Sequence, residues 1–454
     1  MTKEDDHITF DFEGTSPQNA GSVNCAWHGA MGSLFVALAG ILFWDVPWNG
    51  GMIVPVTAKF PEGSMINCRF PASCAQCPPA PGLQITAAAT MCIGKMLALT
   101  EEFRGDLNAG WAGGVSFLSY GGIDQYGTRT GSMLMDCFAA GCGAGYDRDG
   151  VDTGGIQMTP ESDCADVETY ESAGPILYLF RKHRMDSGGP GKFRGGAGLE
   201  LAHMVHNTPG LYISEHGLGE KITNTPGMWG GYPSCGSIQV LLEDGEAVKE
   251  KLARGEIPAT VEECMRIKGA KKMPLYYGCM ATEGMTGVFI CTGGGGYGDP
   301  LEREPEKVRV DVKSMIHSPW VAREVYGVIL DEKSSEVDLE KTNAKREEIK
   351  KNRLKMAGKE GLLKGRERGS KEGKFFTEYL IIDEDGKICC RKCNHFFCDH
   401  KENYKEYALR AEVTPSTIGP MRPDDTEWCA YREFYCPGCA VLLDVDVVAQ
   451  GDPV

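Results

Sequence analysis

The stretch CTGGGGYGDPLEREPEKVRVDV, residues 291 to 312, constrains the fold most, because four consecutive glycines have no side chain with which to build a core. Gly293, Gly295 and Gly298 also satisfy G-x-G-x-x-G, the spacing of a dinucleotide-binding loop. Such a loop needs a strand before it and a helix opening inside it, since the helix N-terminus supplies the N–H groups that hold a pyrophosphate. GVFICT, residues 287 to 292, is β-branched and aromatic enough to be that strand. The helix cannot follow, because the glycines run into Asp299-Pro300 and a residue before proline is pushed out of the helical region. The next helical pattern begins near Pro305, with Val308, Val312, Met315 and Ile316 on one face. The glycines are therefore expected to join a strand to a helix, taking positive φ or admitting a second backbone, and no cofactor is expected on them.

At 454 residues with 42% hydrophobic content the chain can build two or three domains. Its net charge of −16 argues against nucleic acid as a partner, because phosphate binding needs a positive field. The opening MTKEDDHITF lacks the basic segment and apolar core of a signal peptide. LFVALAGILFW, Leu34 to Trp44, falls short of the roughly 20 apolar residues of a membrane span and reads as a buried helix. With no secretory signal, the 19 cysteines point to a reducing, cytoplasmic setting in which thiols stay free or bind metal.

The first three hundred residues alternate glycine and proline turns with strand-like stretches such as ITFDFEGTSP, MIVPVTAKFPEGSMIN and ILYLFRKHRMDSGG. Helices are expected over Gly29 to Leu42 and Leu83 to Phe103, and Ser318-Pro319 caps a short helix that a strand, GVILD, closes. This gives an α+β, β-rich body over residues 1–332. Residues 333–374 read as a charged helix and linker, a solvated helix fraying into flexible chain, with a docking site for anions as the alternative. Residues 375–454 form a small unit whose meagre core calls for a staple.

Cys390-x-x-Cys393 and Cys436-x-x-Cys439 supply one, since two C-x-x-C knuckles can set four thiolates tetrahedrally around a structural zinc. Proline and glycine inside CPGC favour the tight turn that aims both sulfurs at a metal. The long separation of the knuckles fits a zinc-ribbon-like domain with an inserted segment. Cys389, His395, Cys398 and His400 crowd the first knuckle, and each is an alternative ligand. A redox dithiol and free buried thiols are the competing readings. Cys74-x-x-Cys77, with Cys68 upstream, lacks a partner knuckle and reads as buried thiols in a proline-rich turn. His183 and Asp186 read as a strand end running into a turn, with metal ligation as the alternative. Lys192, Arg194 and Arg181 offer positive charge beside glycine turns, either for an anion or for pairing with nearby carboxylates. Trp111, Tyr120, Trp229 and Tyr232 are expected in the core.

DFEGTSPQNAGSVN, DSGGPGKFRGGAGLE, and GGGGYGDPLEREPEKVRVDV with the VYGVIL that follows it resemble the hydantoinase B/oxoprolinase family, in order and at similar distances. CRKCNHFFCDHKENYK and REFYCPGC resemble the gamma-type zinc-binding subunit of acetone carboxylases and its acetophenone carboxylase counterpart. The joint resemblance implies a subunit of an ATP-dependent ketone carboxylase that joins a small-molecule ketone to bicarbonate and is inactive alone. It implies a hydantoinase A-like subunit and a separate chain carrying the N-terminal half of hydantoinase B as partners. ATP and a divalent metal, Mg or Mn, are implied on those partner subunits, with no catalytic residue transferable to this chain. An ATP-dependent cyclic amide hydrolase of hydantoinase, oxoprolinase or lactamase type, and a non-catalytic assembly subunit, are the alternatives.

Overall fold

The computed structural model describes residues 1–75, 78–111, 114, 116–157, 164–221, 225–356, 369, 372–420, 422, 429–449 and 451–452. Two antiparallel sheets form the middle of an α+β, sheet-rich body. One has the order Ala270–Met273, Ile238–Leu242, Thr286–Ile290, Leu199–Val205, Ile176–His183. The other runs Tyr276–Ala281, Leu211–Gly217, Ser116–Ile123, Arg129–Met133. Strand alternation sends Leu211, Ile213 and Glu215 inward and leaves Tyr212 exposed. Leu118, Ile213 and Tyr277 of the second sheet pack against Ile176, Val205 and Leu241 of the first. The opposite face of the first sheet is covered by the helices Gly245–Ala253 and Val261–Met265, through Val248, Val261 and Cys264. Covered on both sides, Leu199–Val205 and Thr286–Ile290 are buried at every position.

The two expected apolar helices are present as Trp27–Ile41 and Leu83–Leu97. The second stops earlier than the predicted Phe103, and a single turn, Arg104–Asp106, follows it. Leu34, Leu38, Ile85 and Ile93 pack these helices together and against Phe10 and Val56 of a three-stranded sheet, Thr2–Glu4, His7–Asp11, Val56–Lys59. Pro305–Lys313 and Pro319–Glu324 are helical, the latter capped by the Ser318 hydroxyl, which accepts from the Val321 N–H. Met315 does not share the buried face of Val308: the first of these helices ends before it, Met315 takes φ 58°, and its side chain is exposed. GVILD is not a strand. Gly327 turns at φ 62°, the Val328 N–H bonds back to the Ala322 carbonyl at 2.8 Å, and Leu330 makes only an isolated bridge to Val337.

The glycine run lies inside a layer of irregular segments laid backbone against backbone. The N–H groups of Gly294, Gly295 and Gly296 donate to the carbonyls of Gly196, Gly110 and Tyr232 at 2.9, 2.8 and 2.9 Å. Their own carbonyls accept from Gly189, Ala144 and Met228 at 2.8, 2.9 and 2.9 Å. The N–H groups of these three glycines, which a phosphate would need, are thus engaged with neighbouring chain. A Cβ on Gly294 would overlap the Cys142 carbonyl, so only glycine fits there. Gly298 then turns at φ 73° to deliver Asp299 and the turn Pro300–Glu302.

Buried ion pairs fasten this layer. Arg194 bonds Asp152 at 2.6 Å and Asp311 at 3.0 Å, and Arg303 bonds Asp149 at 2.6 Å and Asp311 at 2.7 Å. The helix Leu339–Met356 is not the solvated spacer its composition suggests. Thr342 and Arg353 are buried, and Arg346 donates to the carbonyls of Tyr326 and Arg303 at 3.1 and 2.6 Å. Most of the linker that follows, residues 357–368 and 370–371, lies outside the described residues.

Between the two central sheets sits an acid that the body has desolvated. Glu215 is buried opposite Tyr277, and burial pushes its carboxyl up to about 8. His203 lies nearby, since a Cβ on Gly287 would come 2.8 Å from its ring and 3.2 Å from Glu215 Oε1. Burial pushes that imidazole down to about 4. Folded Glu215 keeps its proton to about 8 while the unfolded carboxyl loses it near 4.5, so stability falls as pH rises through that window. His203 acts in reverse, costing stability as pH falls from about 6.5 towards 4. Glu215→Gln is therefore expected to raise the urea midpoint at pH 9 and to match the wild type near pH 5. Equal midpoint differences at both pH values would refute the assignment.

Candidate functional site

The C-terminal stretch builds two small sheets, Lys374–Phe375, Leu380–Ile382, Lys387–Cys390, Phe396–Asp399 and Leu409–Val413, Ala430–Tyr435, Leu442–Val448. Cys390 ends a strand of the first and Cys436 follows a strand of the second, so each sheet presents one knuckle. The turns are alike. The N–H of Asn394 returns to the Cys390 carbonyl and that of Ala440 to the Cys436 carbonyl, both at 2.9 Å. Asn394 and Ala440 take positive φ of 65° and 58°, which brings the chain back into pairing.

These turns gather Cys390, Cys393, Cys436 and Cys439 so that all four sulfurs lie within 4.8 Å of one another. Cys393 and Cys436 Sγ are 3.5 Å apart, and Cys390 and Cys439 Sγ 3.8 Å. Zinc–sulfur bonds of about 2.3 Å in a tetrahedron set their sulfurs about 3.8 Å apart, so the donor set fits that ion. Gly438 belongs to the cradle, because a Cβ there would stand 2.6 Å from Cys393 Sγ. The Cys393 thiol is held far below its ordinary range, first by its hydrogen bond with Cys390, while Cys436 is pushed far up, first by the same neighbour. Four sulfurs this close resist joint ionisation without a cation between them. An ion held by all four would have a closed coordination shell with no position for substrate.

The other nearby candidates are not part of the cluster. Cys389 is buried 3.9 Å from Asp383 Oδ2, and the His400 ring faces the Gly386 carbonyl at 3.0 Å. Cys398 is a core residue beside Phe397 and Phe434, and the His395 ring packs edge-on against Phe397. Cys68 and Cys74 have sulfurs 3.4 Å apart, and Cys77 lies outside the described residues.

The cysteine cluster sits directly against the glycine run. Asp299, just beyond the glycines, takes a two-pronged bond from Arg353 at 2.6 and 2.9 Å and accepts from the Leu442 N–H at 3.0 Å. Burial alone would raise the Asp299 carboxyl, yet Arg353 holds it below the ordinary range. Arg353 also donates to the Ala440 carbonyl, in the second knuckle, at 3.2 Å. Tyr297 bonds Glu378 at 3.0 Å, and the Asp299 N–H donates to the Tyr379 hydroxyl at 2.7 Å. Lys392, inside the first knuckle, pairs with Glu302. Val308, Val321 and Tyr326 of the body share one core with Leu409, Tyr431 and Leu442.

The positive charges expected beside the turns are neutralised. Lys192 pairs with Glu378 at 2.8 Å and Arg181 with Asp136 at 2.9 Å, and Arg194 belongs to the Asp152 and Asp311 network. Pairing with carboxylates, not anion handling, is what those residues do. His183 lies at an exposed strand end, whereas Asp186 is buried, pairs with His317 at 3.4 Å and accepts from the Ser318 N–H at 2.9 Å, so the two share no ligand. Tyr120, Trp229 and Tyr232 are core residues. Trp111 is half-buried against a small core of Leu83, Ala140 and Ile156, and it also lines a cavity of about 300 Å³ with Trp44, Asn108 and Gln157. No helix among the described residues is long and apolar enough to cross a membrane.

Comparison with known proteins places these features. Residues 1–300 match the hydantoinase B/oxoprolinase family, and residues 376–454 match the acetone carboxylase gamma subunit. The acetone carboxylase alpha subunit of Xanthobacter autotrophicus is 33% identical over 271 residues, 55% of this chain and 34% of the relative. The acetophenone carboxylase delta subunit of Aromatoleum aromaticum is 26% identical, over 76% of this chain and 51% of the relative. The nucleotide-free structure of acetone carboxylase superposes with a TM-score of 0.67 at 28% identity, over 76% of this chain and 47% of that one. The chain thus spans about a third to a half of the length of these three relatives.

Removing Arg353 leaves Asp299 as a buried charge without its guanidinium. Arg353→Ala is expected to cost about 3–5 kcal/mol, read as a lower urea midpoint. An unchanged midpoint would deny this pair its role in joining cluster to body.

Proposed function

The chain belongs to the hydantoinase B/oxoprolinase family, and from that membership, together with the gamma-type cysteine module docked on its glycine layer, we propose that it is a subunit of an ATP-dependent ketone carboxylase. The observation that carries this reading is the pairing of the two matches in one chain, since the gamma-subunit match favours the ketone branch over cyclic amide hydrolysis. In this reading the chain is organised as a hydantoinase B-like body over 1–332, a charged helix and linker over 333–374 and a zinc-binding domain over 375–454. ATP, Mg or Mn, ketone and bicarbonate are handled with a hydantoinase A-like subunit and a chain carrying the N-terminal half of hydantoinase B. This polypeptide is inactive alone. Its own part is to wall and hold the reaction space. Activated ketone and carboxyl donors are destroyed by water, so the site must be enclosed, and a glycine layer with every central N–H engaged makes a stiff dry wall.

Cys390, Cys393, Cys436 and Cys439 hold zinc in this reading, and the ion supplies folding energy to the module without taking part in the reaction. Cys436→Ser is expected to weaken zinc binding by at least about tenfold, read by competition with a chromophoric chelator, and to lower the thermal midpoint. A variant that retains zinc with unchanged affinity would remove Cys436 from the ligand set.

The activity is tested on the purified complex by following ADP release with acetone or an aryl ketone, with and without bicarbonate. ADP release that requires both ketone and bicarbonate is the expected result. Bicarbonate-independent turnover of a hydantoin or lactam would assign the complex to amide hydrolysis, and turnover by this chain in isolation would overturn its role as a subunit.

A further inference from the structure

The helix Trp27–Ile41 belongs to an apolar stretch that the fold covers on only one side. From Trp27 to Trp44 the sequence contains no lysine, arginine, aspartate or glutamate. Ala30, Met31, Leu34, Phe35, Ala37 and Leu38 are buried in the core, whereas Trp27, His28, Gly32 and Gly40 are exposed on the remaining side. A helix that is hydrophobic all round belongs to an interior. The chain after it extends the same surface. Trp44, Val46, Trp48, Ile53 and Val54 are exposed within one short loop, the two tryptophans by 76% and 73%.

Two depressions follow the helix. One, of about 300 Å³, lies between Trp27, Met31, Phe35 and Trp48. The other, also about 300 Å³, lies between Val36, Gly40, Trp44 and Trp111 and is edged by Asp106, Asn108, Arg148 and Gln157. Aromatic anchors beside pockets, with polar groups at the edge, are the composition of a protein–protein contact. Single exposed apolar residues need no explanation, but so many exposed along one uncharged helix and its loop mark an interaction surface.

The occupant follows from length. The aligned stretches account for 34% of the acetone carboxylase alpha subunit and 51% of the acetophenone carboxylase delta subunit. About half of the one relative and two thirds of the other thus lie outside the aligned stretch, and that polypeptide is available to pack against the part that is shared. The ion-paired glycine layer and the cysteine module already cover one another, whereas the helix Trp27–Ile41 and its loop form a broad apolar face that is open among the described residues and carries two exposed tryptophans beside depressions. We propose that this face seats the polypeptide corresponding to the remainder of the longer relatives, with Trp44 and Trp48 as its anchors. The inference rests on the assembly reading above and assigns that partner its surface.

The test is to co-express the tagged chain with the hydantoinase B N-terminal-type chain from the same genome and to measure their Kd by interferometry. Trp44→Glu with Trp48→Glu is compared with Ile257→Glu, an exposed apolar residue outside this face. Thermal midpoint and zinc content establish that each variant is folded. The double variant is expected to weaken binding by at least about tenfold, as loss of interface anchors does, and Ile257→Glu to leave it unchanged. Equal binding by wild type and double variant would overturn the surface while leaving the assembly intact. So would a wild-type homodimer that the double variant abolishes while the heterologous chain still binds. Failure of that chain to bind even the wild type would overturn the assembly reading, and this inference with it.

Discussion

The structure depends on a backbone approaching other backbones more closely than any side chain allows. Gly294, Gly295 and Gly296 send three successive N–H groups to three different segments and receive three more from others, so one short run ties together chain from across the body. Hydrogen bonds of this kind are worth only about 1 kcal/mol each in net terms, but leaving a buried one unmade costs the full desolvation of the group. The layer therefore holds as a unit. It also settles the chemistry of the G-x-G-x-x-G pattern, because N–H groups that would face a phosphate already face protein.

From that layer the chain leaves through Gly298 and Asp299, and there the cysteine module is fastened. Asp299 meets Arg353 from a helix and Leu442 from the last sheet, while Tyr297 and Lys192 both bond Glu378, and Glu302 takes Tyr379 and Lys392. Charges buried in such numbers are costly unless each is paired, and here each has a partner on a different segment. Their value is positional. They fix the thiol cluster at one place on the body, where apolar packing alone would tolerate sliding.

The sequence was legible where a pattern has one physical meaning. Two C-x-x-C pairs named the four sulfurs that the structure gathers, and two apolar runs named the helices Trp27–Ile41 and Leu83–Leu97. Asp299-Pro300 was enough to exclude a helix at the glycines. The helix Leu339–Met356 was misread because the residues it buries most deeply are polar: Thr342 and Arg353 carry no hydrophobic period. Arg194 was ambiguous for the converse reason, since its partners Asp152 and Asp311 lie 42 and 117 residues away and no local spacing shows them. GVILD has strand composition, but the left-handed turn at Gly327 directs its backbone to a helix end instead of a sheet.

The Ala440 carbonyl, in the turn that shapes the second thiol pair, is one of the groups that Arg353 grips while it holds Asp299. Sulfur chemistry and glycine layer are thus separated by a single guanidinium. Oxidation of a thiol in that turn would slacken the loop, release one prong of the arginine and leave an aspartate at the rim of the layer less firmly held. The module is in this sense a fuse: damage at its half-buried sulfurs, Cys393 and Cys439, is transmitted inward before the body itself is touched.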